Sequence, residues 1–477
     1  MKRLAAALAL VVLGALTAGA QVAKVYTSTA DGRKALELSS VKCVAAQGAD
    51  AISIDPAQKF QSMDGFGYAI TYSACYNLLH MSKGDREKFL RKTFSVADGY
   101  GAGYVRISIG CNDFSSCEYS LCEKPGLENF ALYADETQYV IPILKEILAI
   151  NPKLRIIAAP WTCPKWMKVD DLESLKPHDK WTDGHLNPKY RRDYAEYFVR
   201  FVKAMKKEGI KIYAVSPQNE PLNRGNCASL YMPWDEEALF VKEIAGVFKR
   251  AKLKTLIYLF DHNYNYDNIA SQSDYPVHIY RELGTDYEGK ELVVGAAYHN
   301  YGGNKDELLD IYSKAPDKEL IFTETSIGTW NDGRNLSRRL IEDMREVGLG
   351  TVNRMCRAVL VWNLMLDEKR GPNLDGGCQT CYGAVDINSA NYRDITLNSH
   401  YYVVSHLACA VRPGAWRVAT RGEAPKGVTL AAFLNPDGKY AVVAMNEAGE
   451  EAALPIEKAG KLFNINLPAR SVVSVIF

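Results

Sequence analysis

Between residues 63 and 366 the sequence alternates eight short apolar runs with longer amphipathic stretches, and few folds accept that pattern. The runs cover residues 63–71, 104–110, 155–161, 213–220, 255–263, 292–300, 320–326 and 358–366. Between them lie stretches of helical periodicity, among them 82–94, 136–150, 188–207, 234–252 and 336–347. A strand that is apolar almost throughout must be covered on both faces, which the helices of a parallel α/β sheet provide. Eight such units predict a (β/α)8 barrel. An open doubly wound sheet would favour a Gly-rich dinucleotide fingerprint after the first strand, and Asp64-Gly-Phe-Gly67 does not supply one.

The pattern changes near residue 406. Short strands are predicted at 427–434, 440–446, 451–455 and 471–477, with a turn signal at Asn435-Pro-Asp-Gly438. Residues 22–54 are also strand-rich but too few to hold a core alone. They are expected to join the C-terminal strands in one β-sandwich. The expected organisation is a barrel over 57–405 with an all-β sandwich built from 21–56 and 406–477.

The first twenty residues carry Lys2 and Arg3, an apolar run from Leu4 to Leu16, and Ala18-Gly19-Ala20. That is the layout of a signal peptide cleaved after Ala20. The apolar run is shorter than the roughly 20 residues a membrane span needs, and no second run is long enough, so no integral membrane segment is expected. The chain is expected to be secreted or periplasmic. A net charge of +1 with no basic run gives no electrostatic case for nucleic acid. Eleven cysteines cannot all pair within one chain. Cys378-Gln-Thr-Cys381 lacks the partner pair a zinc site wants, so buried thiols or a local disulfide are expected there. With 8 His and no HExxH spacing, neither a metal nor a cofactor is expected.

Barrels of this kind place chemistry at the C-terminal ends of their strands. The fourth run ends Val215-Ser-Pro-Gln-Asn-Glu220-Pro221 and the seventh Ile321-Phe-Thr-Glu324-Thr. A carboxylate closing an apolar strand is partly desolvated, which is costly without pairing or function. Two on one rim suit glycoside cleavage, where one carboxyl group protonates the leaving oxygen and the other attacks the anomeric carbon. A separation of about 5–5.5 Å gives retention, and roughly 6.5–9.5 Å gives inversion.

Further runs make the likeness specific: Asp64-Gly-Phe-Gly67, Arg106-Ile-Ser-Ile-Gly-Cys-Asn-Asp113, Ala159-Pro-Trp161-Thr-Cys-Pro-Lys-Trp166, Asn219-Glu220-Pro221, His299, Glu324 and Trp362-Asn363. In that order they resemble glycoside hydrolase family 30, which includes glucosylceramidases and microbial endo-β-1,6-glucanases. The resemblance implies Glu220 as acid/base and Glu324 as nucleophile. It implies a sugar pocket lined by Asp113, Trp161, Asn219 and Trp362, with His299 and Tyr301 beside it. Asp113 could accept hydrogen bonds from two hydroxyls, Asn219 could hold the 2-hydroxyl, and a Trp can stack on the apolar face of a pyranose. Glu220 is expected to be protonated at the start, with a raised pKa, and Glu324 ionised. Gly376-Gly377-Cys378-Gln-Thr-Cys381 and Ser216-Pro-Gln-Asn219 depart from the glucosylceramidase branch and resemble the β-1,6-glucan branch. The expected partner is therefore a β-1,6-glucan, with a glucosylceramidase-type β-glucosidase next. From another class, a non-catalytic carbohydrate-binding protein would have lost one of the two glutamates.

Overall fold

The computed structural model describes residues 21–46, 50–264 and 269–477. The expected signal peptide at 1–20 lies outside them. Eight parallel strands close into a barrel: Gly65–Ala69, Tyr104–Ser108, Arg155–Ala159, Ala214–Val215, Leu256–Asn263, Val293–His299, Glu319–Glu324 and Cys356–Val361. Helices including Lys83–Phe94, Ile141–Ile150, Arg191–Lys207 and Trp234–Arg250 follow the strands. Inward side chains such as Tyr104, Ile157, Tyr258, Ile321 and Leu360 fill the barrel as a small core of their own.

The fourth and eighth strands stop well short of their apolar runs. The fourth pairs only over Ala214–Val215, because Pro217 has no N–H for the ladder and Glu220 turns to a left-handed φ of 47°. The eighth ends at Val361, and Asn363 with φ 58° breaks the strand. Met365–Asp367, expected to continue it, belongs instead to a separate three-stranded sheet. The helix expected over 136–150 is present, opening as a π-helix over Asp135–Val140 and continuing as an α-helix over Ile141–Ile150. The helix expected over 336–347 is likewise present, as an α-helix over Leu336–Asp343 that closes in a π-helix over Met344–Gly348.

The second layer is one ten-stranded sheet that takes strands from both ends of the chain. Val22–Thr29 lies between Glu37–Lys42 and Ser471–Ile476, and Ile52–Ser62 lies between Trp416–Arg421 and Ala452–Lys458. Its pairs are antiparallel, except that Ala452–Lys458 runs parallel to Ile52–Ser62. It holds a separate core that includes Ile54, Val442, Phe463 and Val475. Trp416–Arg421 and Lys461–Leu467 were not expected from the sequence; Lys461–Leu467 alternates buried and exposed residues only in part. Ile52–Ser62 and the helix Ser399–Ala410 span the divides expected at 56/57 and 405/406. All twelve residues of that helix are buried, as a helix sandwiched between two layers requires. Its His406 bonds Ser28 and Ser474 of the sheet, at 2.8 and 2.9 Å. Among the described residues, no helix is long and apolar enough to cross a membrane.

Candidate active site

Glu220 and Glu324 meet at the C-terminal mouth of the barrel, on a cavity of about 240 Å³. A larger cleft of about 720 Å³ beside the sandwich contains neither glutamate and none of the expected site residues. Asp113, Trp161, Tyr301 and Trp362 line the smaller cavity, as do Asn223, Asn226, Trp330 and the Cys378–Cys381 disulfide. Asn219 and His299 join the site through hydrogen bonds to Arg106 and Glu220. One carboxylate oxygen from each glutamate and a ring nitrogen of His299 all lie within 4.8 Å of one another.

The strand ends explain how these groups converge. Ladder pairing steps from Phe260 to His262, leaving Asp261 as the extra residue of a bulge, with φ 71° at Phe260 and 49° at Asp261. A bulge re-aims a side chain that the pleat would otherwise send elsewhere. Asp261 thereby reaches Arg106 Nη2 at 2.8 Å, His299 Nε2 at 3.0 Å and Thr323 Oγ1 at 2.6 Å. Its backbone carbonyl also accepts the Glu220 N–H, at 3.0 Å. Glu220 is thus held in a conformation that costs a non-glycine residue about 1–3 kcal/mol and persists only where its surroundings enforce it.

Arg106 joins the two halves of the site. Fully buried, it donates to Glu324 Oε2 at 2.5 Å, Asn219 Oδ1 at 2.6 Å and Asp261, and it lies 4.9 Å from the centre of the Trp161 ring. Trp161 and Trp362 stack with centroids 5.2 Å apart. The other oxygen of Glu324 accepts from Tyr301 Oη at 3.0 Å. Glu220 Oε1 contacts His299 Nδ1 at 3.1 Å, while Oε2 accepts from Asn223 and Asn226 at 2.7 and 2.9 Å.

Burial works against every charge here, and the partners decide the outcome. Burial opposes a charge on His299, but Glu324, Asp261 and Glu220 outweigh it and lift its pKa to about 9. For Glu220, burial pushes up, but the His299 hydrogen bond and the Asn223 amide hold it at about 2. Burial raises Glu324 above the usual carboxylate range, against the pull of His299 and Arg106. Burial, with the charges of Glu324 and Glu220, raises Asp113 well above that range, and its Oδ1 is buried without a hydrogen-bond partner. In the free site, then, the proton shared by Glu220 and His299 rests on His299. The raised pKa expected for Glu220 is not found in this state, because the protonated His299 lies against it.

Residues 63–408 match the Glycosyl hydrolase family 30 TIM-barrel domain, and residues 414–475 its beta sandwich domain. The chain belongs to glycosyl hydrolase family 30. Like the rest of that family it is a glycoside hydrolase, and the two matched units are the barrel and the sandwich described above. A solved structure titled "The endo-beta1,6-glucanase BT3312" superposes with a TM-score of 0.91 at 55% identity, covering 95% of this chain and 99% of that one. An endo-1,6-beta-D-glucanase of Trichoderma harzianum is 28% identical, over 87% of this chain and 84% of its own. The lysosomal acid glucosylceramidase of Mus musculus is 26% identical, over 90% and 84%.

Arg106 and Asp261 were not assigned roles from the sequence. Arg106 leaves a signal, a charge in the middle of an apolar strand; Asp261 in the Phe-Asp-His run leaves less. Asn223, Asn226 and Trp330 lie in loops without a periodic pattern.

Proposed function

We propose that the protein hydrolyses β-1,6-linked glucan with retention, with Glu220 as acid/base and Glu324 as nucleophile. The spacing of the two carboxylates carries the mechanism. One oxygen of each lies within 4.8 Å of the other, which favours the close pair of a retaining enzyme over the wider pair of an inverting one. In the first step Glu324 attacks the anomeric carbon while Glu220 gives its proton to the departing oxygen. This forms a glycosyl ester on Glu324 and frees the leaving sugar. In the second, Glu220 takes a proton from water, which displaces Glu324 and restores the configuration.

The surroundings suit these roles. Arg106 and Tyr301 hold the two oxygens of Glu324 and orient it for attack. With its Oδ1 taken by Arg106, Asn219 presents Nδ2 as donor to the sugar's 2-hydroxyl. Asp113, with an oxygen free of partners, is the acceptor for other hydroxyls. The stacked Trp161 and Trp362 give the ring an apolar wall. Glu220 must be protonated to act. A sugar that fills the cavity removes water from the His299–Glu220 pair, which favours its neutral form and moves the proton to Glu220.

The 55% identity to an endo-beta1,6-glucanase over nearly the whole chain supports β-1,6-glucan as substrate. The first twenty residues support export, and N-terminal sequencing of protein recovered outside the cytoplasm should begin at Gln21. Product analysis on β-1,6-glucan beside glucosylceramide tests the substrate. Release of β-1,6-linked oligosaccharides is expected, and cleavage of the lipid alone would overturn that reading. A 2-deoxy-2-fluoro-glucosyl fluoride should label the peptide that carries Glu324; label on any other residue would overturn the mechanism.

A further inference from the structure

The cavity is lined by one large, half-exposed side chain that the chemistry above does not use. Trp161 and Trp362 are each 2% exposed, whereas Trp330 is 51% exposed. Trp330 sits on a single turn, Thr329–Asn331, just beyond the strand that ends in Glu324. A half-exposed Trp on a loop is ordinarily a mobile surface group, but this one is clamped. A Cβ on Gly328 would lie 1.8 Å from Trp330 Cζ3, so the ring lies flat on the glycine. Ile327–Gly328 pairs with Cys381–Tyr382, next to the Cys378–Cys381 disulfide, and Thr329 N–H bonds Thr380 O at 3.0 Å. The Asn331 side chain accepts the Gly328 N–H at 2.9 Å.

We infer that Trp330 is the stacking platform for the sugar on the leaving-group side of the scissile bond, a subsite that takes a neutral glucosyl unit. The inference rests on the proposed glucanase reading. The unit that becomes esterified lies against the buried Trp161, Trp362 and Asp113, so the departing sugar reaches toward the exposed rim that Trp330 occupies. There Glu220, its Oε2 fixed by Asn223 and Asn226, serves as proton donor. A pyranose presents a C–H face, and an indole already held in place binds it without ordering a side chain. Gly328 serves the ring rather than the backbone, since its φ of −165° is open to any residue.

The test compares a β-1,6-glucosyl oligosaccharide with β-glucosyl fluoride, whose leaving group is too small to reach Trp330. In Trp330→Ala, kcat/KM on the oligosaccharide should fall by a factor roughly tenfold greater than on the fluoride, mostly through KM. Trp330→Phe should recover most of the difference, and Gly328→Ala, which displaces the ring, should resemble Trp330→Ala. Equal losses on both donors, or no loss, would overturn the subsite alone. A wild-type enzyme that hydrolyses the fluoride but no β-1,6 oligosaccharide would overturn the substrate reading itself, and the subsite with it.

Discussion

Glu237 lies fully buried beside the Phe260–Asp261 bulge, where its Oε1 accepts the Phe260 N–H at 3.0 Å. The Tyr275 hydroxyl stands 2.8 Å from its Oε2 and also contacts the Met232 carbonyl. That hydroxyl has one hydrogen, so when it donates to Met232 a protonated Glu237 completes the set by donating to Tyr275. Burial, against those hydrogen bonds, lifts the carboxyl to about 7 from 4.5. A raised acid contributes stability that is full below the unfolded value and lost as pH rises through the folded one. The loss between pH 4.5 and 7 is about 3 kcal/mol. Glu237→Gln keeps the protonated pattern at every pH. Its melting temperature should match wild type near pH 4 and exceed it above pH 7; parallel curves would refute the argument. The Glu220–His299 pair makes a prediction of activity. The reactive state needs one proton on that pair, so kcat/KM should fall as pH rises toward the His299 value of about 9. In His299→Gln that limb should move to lower pH, because Glu220 then keeps its proton without a cation to share it; a pH–rate profile reads the shift.

At the scale of elements, the barrel closes tightly at chosen points. A Cβ on Gly67 would lie 1.6 Å from Tyr104 O on the next strand, against backbone atoms that cannot yield as a flexible side chain would. Gly67→Ala should cost about 3 kcal/mol or more and lower the denaturant midpoint. Gly84, in the helix Lys83–Phe94, meets nothing within 4 Å, so Gly84→Ala should stabilise by up to about 1 kcal/mol. The same contrast explains what was legible beforehand. Apolar runs bounded by helices announce the barrel because burial on both faces leaves no other composition, and a glutamate closing such a run is visible against it. The bulge at Asp261 and the left-handed turns at Glu220 and Asn363 leave no comparable mark, because ordinary residues adopt them under the demand of their neighbours. Hence the strand ends, and with them Asp261 and the hydrogen bonds of His299, needed coordinates. Trp330 was hidden for another reason: an exposed aromatic is common, and only its packing on Gly328 sets it apart.

For the whole molecule, the buried helix Ser399–Ala410 makes the barrel and the sandwich dependent on each other. His406 ties it to strands from both ends of the chain, and neither layer can shed it without exposing apolar surface. Heat unfolding should therefore be one transition, with calorimetric and van't Hoff enthalpies in agreement; two resolved transitions would show that the layers fold apart. The ten-stranded sheet also sets a timetable. Val22–Thr29 finds its partner in Ser471–Ile476, register Lys24 to Ile476, so a strand that precedes the barrel waits through synthesis of the entire barrel for its partner. Until then it carries an open edge, the feature most prone to wrong pairing. A sheet assembled this way closes only once the strands on both sides of the barrel have been made, so the sandwich is the last part of the described fold to take its final form.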